Sequence, residues 1–156
     1  MCLDFASWII GFVDGEGCFC VSFSKRSNLR CGLEARPSFS ISQKAASLES
    51  LQKINAFFEC GGIRYCRSDG TYKFEVRDFS DLNRRIIPFF KRYEFQTMKQ
   101  RDFLLFIEIC SLISRGLHRN SQGLSQIVEK AYQMNSSGKR KYTKEELLKS
   151  LAELNV

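Results

Sequence analysis

Hydrophobic and polar positions alternate in two rhythms along this chain, and each change of rhythm marks a predicted element. Residues 5–14 are apolar almost all round, which predicts a buried helix. From Cys18 the period drops to two. Phe19, Val21 and Phe23 fall on one face and Cys18, Cys20, Ser22 and Ser24 on the other, the pattern of a half-buried strand over 18–24. The polar, basic segment SKRSNLRCG separates it from a second alternating run over 36–43. There Phe39 and Ile41 point inward while Arg36, Ser38, Ser40 and Ser42 point outward, so the two runs predict a long hairpin with a small, polar outer face. Helical spacing returns over 47–58 (Leu48, Leu51, Ile54, Phe57, Phe58), with Ser47 as its start and Gly61-Gly62 as its stop. IRYCRSDGTYKFEV predicts a second hairpin about a two-residue Asp69-Gly70 turn, with Tyr72, Phe74 and Val76 alternating with Thr71, Lys73 and Glu75. A short helix from Ser80 should end before Pro88. Thr97 and Gln100 have the spacing of a capping box that opens a helix reaching Ser114. Another helix is expected over 121–134, then the basic loop NSSGKRKY, then a last helix capped by Thr143 and Glu146. The order is αββαββα followed by C-terminal helices, an α+β fold with one antiparallel or mixed sheet. No repeat, low-complexity tract or linker breaks residues 1–156, so one domain is expected.

Composition narrows the class. A hydrophobic content of 44%, with 14 Phe in 156 residues, supports a folded globule with a real core. A formal charge of +7, from 24 Lys+Arg against 17 Asp+Glu, favours a polyanionic partner, nucleic acid before membrane. Seven cysteines without a CxxC pair, and His118 as the one histidine, argue against zinc and for free thiols in a reducing compartment. No basic leader precedes the first helix, where Asp4 lies, and the longest apolar run, Phe103–Ile113, is broken by Glu108 and too short to span a bilayer. A soluble intracellular protein with no membrane partner is the expectation.

The chemistry concentrates in SWIIGFVDGEG, residues 7–17. On a helix, Ser7, Gly11 and Gly15 recur every fourth residue and share one face, a small-residue stripe along which two helix backbones can approach closely. Glu16 follows at the helix end. Two copies packed on this stripe bring two Glu16 carboxylates together, and close carboxylates repel unless a cation joins them. Oxygen ligands suit Mg²⁺. An ion so placed activates water and stabilises leaving oxygens in phosphodiester cleavage. The plain alternative is a helix with a glycine stop and a solvated Glu16.

IIGFVDGEG (Ile9–Gly17) resembles the signature of the LAGLIDADG homing endonucleases, with Ile9 a conservative change and Ile10 replacing a usual alanine. FSISQK (Phe39–Lys44), MKQRDF (Met98–Phe103) and GLSQIVEKAYQMNSSGKRKYT (Gly123–Thr143) resemble further stretches of that family. The resemblance implies a single LAGLIDADG endonuclease domain. It implies a site-specific, intron-encoded, metal-dependent DNA endonuclease that leaves short 3′ overhangs across the minor groove. One signature per chain implies a homodimer on a long, pseudo-palindromic double-stranded DNA site. Glu16 matches the metal-binding acid and the Gly15 carbonyl its neighbouring ligand. Gln43 matches a residue that organises active-site water, and Lys99 a basic residue near the scissile phosphate. A further family cation falls near Ser47, where this chain has a hydroxyl; Lys44 or Arg101 are candidates for that role. Asp14 is read as a helix-end and interface residue rather than a ligand.

The family's saddle-shaped sheet lies along the major groove. That makes Cys18, Cys20, Ser22, Ser24, Arg36, Ser38, Ser40 and Ser42 the groove-facing side chains. Lys25, Arg26, Arg30, Lys44, Arg64, Arg67 and Lys73 become charged contacts, and Lys139, Arg140 and Lys141 phosphate contacts. The alternatives on the same scaffold are an intron RNA maturase, with host intron RNA as partner, and a non-cleaving DNA-binding regulator. The family's usual hosts are introns of organelles (chloroplast or mitochondrion), microbes or archaea.

Overall fold

A computed structural model describes residues 4–136 and 138–153. The chain runs α1 (Phe5–Glu16), β1 (Gly17–Lys25), β2 (Leu33–Gln43), α2 (Leu48–Phe58), β3 (Gly62–Cys66) and β4 (Thr71–Val76). It continues through α3 (Phe79–Asp81), α4 (Ile87–Phe90), α5 (Lys99–Ser114), α6 (Ser121–Ala131) and α7 (Lys144–Ala152). This is the αββαββα order that the hydrophobic rhythm predicts, followed by C-terminal helices. The four strands form one sheet in the order β1-β2-β4-β3. β4 runs antiparallel to both neighbours, with Phe39 opposite Val76 on one side and Ile63 opposite Phe74 on the other. No described helix is long and apolar enough to cross a membrane.

The backbone forms two compact units. One takes the chain up to Phe19 together with Ser38–Gln100; the other takes Cys20–Pro37 and the chain from Arg101 onward. The core of the first is aromatic. Phe19 stacks on Phe39 at 5.0 Å, Phe39 meets Phe90 at 5.3 Å and Phe90 meets Phe95 at 5.4 Å between ring centroids. Offset and edge contacts of this kind add to the burial term. Ile9 and Val13 of α1 and Leu51, Ile54 and Phe58 of α2 complete this core. The second core is mostly aliphatic: Val21 of β1, Ile109 of α5, Leu124, Ile127 and Val128 of α6, and Leu147 and Leu151 of α7. Burial of Cys110 within it pushes that thiol up to about 12. Cys31, Cys60, Cys66 and Cys110 are free thiols.

Local signals fail where distant groups outbid them. Pro88 does not end its helix. A π-helical stretch, Leu82–Ile86, shifts the hydrogen-bond ladder, so Pro88 falls in the first turn of α4, where a missing N–H is tolerated. The second hairpin closes on four residues, 67–70, because Cys66 pairs with Thr71. Asp69 Oδ1 accepts from the Thr71 hydroxyl at 2.7 Å and its N–H at 3.2 Å, so it braces the turn from its side chain. Ser47 precedes α2 but makes no capping hydrogen bond. The stop after α2 does need glycine. Gly61 has φ +75°, and a Cβ there would lie 2.6 Å from the Glu75 carbonyl oxygen.

Candidate active site and nucleic-acid interface

α1 passes into β1 without a loop. Ile9 and Val13 are fully buried on its inner side, while Ser7, Gly11 and Gly15 are exposed. Gly17 donates its N–H to the Val13 carbonyl, and a Cβ on it would lie 2.6 Å from Val13 Cγ1. The close helix-to-strand step therefore requires this glycine. Gly11 and Gly15 differ: a Cβ at either would meet nothing within 4 Å. No contact among the described residues requires glycine at these two positions. With Ser7 they leave an open stripe of small residues.

The end of α1 gathers three of the predicted groups. Glu16 is exposed, and its Oε2 accepts a 3.1 Å hydrogen bond from Gln43 Nε2 at the end of β2. Lys99, the first residue of α5, donates from Nζ to the Gly17 carbonyl. A cation is favoured here because unpaired carbonyls accumulate at a helix C-terminus. The Gly15 carbonyl is one of them, and Glu16 Oε1 has no protein partner among the described residues. These are hard oxygen donors, the kind that fits Mg²⁺ rather than a softer metal. One chain supplies one such carboxylate. No three His, Cys, Asp or Glu side chains gather into a metal cluster among the described residues. Ser47 is half-buried, and Lys44 and Arg101 are exposed with no side-chain hydrogen bond among the described residues, so neither cation is tied to this corner.

Asp14 supports the corner from one turn back. Its Oδ2 accepts from Gln96 N–H at 2.8 Å, and its Oδ1 accepts from the Thr97 hydroxyl at 2.6 Å and Thr97 N–H at 3.3 Å. Burial raises this carboxyl's pKa, but the hydrogen bonds from Thr97 and Gln96 outweigh it and hold the group below its ordinary value. The Thr97–Gln100 capping box consequently does not form. Thr97 N–H is taken by Asp14, and Gln100 Oε1 accepts from Phe95 N–H at 3.0 Å instead.

The outer face of the sheet carries most of the other predicted contacts. Phe19, Val21 and Phe23 are buried, leaving Ser22 exposed and Cys18, Cys20 and Ser24 half-buried on the opposite side of β1. On β2, Arg36, Ser38 and Ser42 are half-buried. Ser40 departs from expectation, being only 6% exposed. It is a short side chain on a central strand, opposite the longer Glu75 of β4, which leaves it little open surface.

Two acids that the sequence reading passed over organise the basic residues. Glu34 Oε2 binds Arg36 at 2.8 Å and Arg26 at 3.0 Å. Glu75 binds Arg77 at 2.9 Å, Arg64 at 3.4 Å and Lys73 at 3.8 Å. The signal was available: Glu34 and Arg36, and likewise Lys73, Glu75 and Arg77, alternate at the strand period and so share a face. Arg30 and Arg67 are exposed in the two hairpin connections.

Arg140, expected as a phosphate contact, is also held by the fold itself. Its guanidinium donates to the carbonyls of Val21 at 3.1 Å, Met134 at 3.3 Å and Ala131, and lies 4.4 Å over the Tyr132 ring. Those contacts commit Nη1 and Nη2 to backbone carbonyls, so Arg140 staples the late loop and keeps fewer donors for a phosphate. Lys139 and Lys141 beside it stay exposed. Lys25 and Lys141 each place Nζ 5.2 Å from the Tyr142 ring centroid.

Residues 9–110 match the family model for the LAGLIDADG endonucleases. This chain belongs to the LAGLIDADG family. Its fold is similar to the crystal structure of the homing endonuclease I-TnaI, with a TM-score of 0.84, 34% identity and 99% of each chain covered. It is similar also to the archaeal intron-encoded homing endonuclease I-Vdi141I, solved in complex with DNA, with a TM-score of 0.87, 31% identity and 97% and 96% of the two chains covered. Among curated relatives, the probable intron-encoded endonuclease 2 of Neurospora crassa is 32% identical over 130 residues, 83% of this chain and 29% of that protein. The chain spans less than half the length of the fungal relatives it matches first, 22% to 47% of them.

Proposed function

We propose that this chain is a site-specific, intron-encoded double-strand DNA endonuclease that acts as a homodimer on a long pseudo-palindromic site. One observation carries the reading: Glu16, Gln43 and Lys99 meet at the end of α1, next to an open stripe of Ser7, Gly11 and Gly15. Pairing two α1 helices along that stripe juxtaposes two Glu16 carboxylates, which one chain alone does not supply. Glu16 and the Gly15 carbonyl would hold Mg²⁺, which when bound would acidify a water and offset charge on the leaving oxygen. Gln43 fixes the Glu16 carboxylate through its amide N–H and keeps its own carbonyl free to orient the attacking water. Lys99 brings an ammonium to the same corner, where it offsets negative charge developing on the scissile phosphate. The serines of the outer face, with Lys25, Lys139 and Lys141, contact the duplex. Lysines there position the DNA on its phosphates; serines read base edges loosely.

The test is cleavage of a randomised DNA-site library with Mg²⁺ and with EDTA, sequencing the cut ends. The expected result is metal-dependent cutting at one nearly symmetric site with short 3′ overhangs. A folded protein that binds duplex DNA but cuts in neither condition would overturn the reading in favour of a non-cleaving regulator or an RNA maturase.

A further inference from the structure

We propose that Asp14 is a positioning residue for Lys99: through Thr97 it buckles the start of α5 onto the end of α1 and so sets the lysine beside Glu16. The chain of contacts is continuous. Asp14 accepts from Gln96 N–H at 2.8 Å and from the Thr97 hydroxyl at 2.6 Å. The Thr97 hydroxyl oxygen in turn accepts from Lys99 N–H at 3.2 Å. Lys99 Nζ then reaches the Gly17 carbonyl, three residues beyond Asp14. Among the described residues, every hydrogen bond that ties 96–99 to the end of α1 ends on Asp14 or on that carbonyl. Other side-chain bonds of this segment stay local: Phe95 N–H to Gln100, and Gln96 Nε2 to the Glu94 carbonyl.

The geometry has a chemical reason. Lysine carries a charge on a long flexible stem, so its backbone must be fixed if the ammonium is to work at one place. Loop-to-helix junctions drift readily, and a shift of about 1 Å in a reacting group costs roughly 10²-fold in rate. A carboxylate that accepts two backbone N–H groups and a hydroxyl fixes this junction as a neutral side chain would not. Asparagine in its place turns a donor toward an N–H, and one of the contacts must open. Asp14 thus serves the reaction without touching DNA or metal.

The inference rests on the endonuclease reading, and its test separates the two. Single-turnover cleavage is measured for Asp14→Asn, Lys99→Ala and the double variant. The expected loss for Asp14→Asn is roughly 10²-fold with DNA affinity kept, and less than about twofold when Lys99→Ala is already present, since coupled residues are not additive. Equal losses in both backgrounds would overturn the proposal, because Asp14 would then act on Glu16 or on folding. Thr97→Ser and Thr97→Val supply a milder pair: the serine variant should cut normally, and the valine variant should fall with Asp14→Asn. A direct readout needs no cleavage. Reductive methylation with ¹³C-formaldehyde gives Lys99 its own NMR signal, assigned from Lys99→Arg. That signal should move in Asp14→Asn and in Thr97→Val but not in Thr97→Ser. An unmoved signal overturns the positioning role; a moved signal in a protein that never cuts overturns the endonuclease reading alone.

Discussion

Glu16 and the two clamping acids, Glu34 and Glu75, do opposite work at the scale of single residues. Glu16 is exposed, and among the described residues only Gln43 hydrogen-bonds its carboxylate, through Oε2, which leaves Oε1 without a partner. Glu16→Gln should therefore leave melting and DNA affinity near their starting values while abolishing metal-dependent cleavage, read by gel from single-turnover reactions. A variant that cuts normally would refute the assignment. Glu75 instead neutralises Arg64, Lys73 and Arg77. Removing it with Glu75→Gln should tighten binding to unrelated duplex DNA and steepen the salt slope of log K by about 1, roughly one extra phosphate contact. Looser binding would mean that the pairing holds those cations in reading position. Glu34 adds a pH term. The hydrogen bond from Arg36 comes first among its causes; burial opposes it, and Arg26 adds to it, leaving the carboxyl below its ordinary value. Its stabilising effect is present above the unfolded pKa and lost as pH falls through the lower folded one. The clamps were legible as period-two charge alternation. The burial of Ser40 and the commitment of Arg140 were not, because both depend on residues far away in sequence.

Among elements, two sequence patterns of the same kind had different fates. Thr143 and Glu146 form a full capping box at α7, with Thr143 N–H donating to Glu146 Oε2 at 2.7 Å and Glu146 N–H to Thr143 Oγ1 at 3.1 Å. Thr97 and Gln100 do not, because Asp14 takes the Thr97 N–H and the Gln100 N–H goes to the Thr97 carbonyl. A local motif predicts its local bond only when no tertiary acceptor is nearer. Strand and helix rhythms were legible because burial of one face fixes them, as with Phe19, Val21 and Phe23 or Leu51, Ile54 and Phe58. Boundaries were less so, since the path through Pro88 and the four-residue hairpin loop depend on hydrogen bonds that composition does not encode. Thr143→Ala should cost about 1 kcal/mol of stability in urea titration, the usual effect of a lost cap. Its partner titrates. Hydrogen bonds from Thr143 N–H and side chain hold the Glu146 carboxyl below its ordinary value. Glu146 therefore stabilises α7 above its unfolded pKa, and that contribution disappears as acid takes the pH through the folded value. In Glu146→Gln, which removes the titrating group, that part of the acid loss should vanish; an unchanged acid limb would show that the cap does not titrate with α7.

For the whole molecule, the argument turns on why a helix with two dispensable glycines keeps them. Glycine costs about 1 kcal/mol against alanine inside a helix. Gly11 and Gly15 incur that cost although a Cβ at either would meet nothing within 4 Å among the described residues. Gly17, by contrast, is explained within one chain by its contact with Val13. The asymmetry separates a glycine needed to fold from two that the proposed homodimer would need to assemble. Gly11→Leu should then leave the subunit fold intact, as judged by circular dichroism and melting. Sedimentation should give half the wild-type mass at low micromolar concentration. Cleavage should fall with the mass, because one subunit brings one Glu16. Binding to duplex DNA should weaken and lose part of its salt dependence, since a dimer doubles a formal charge of +7 over one site. If instead the variant sediments like the wild type and still cuts, α1 does not carry the contact between subunits, and the shared carboxylate site goes with it.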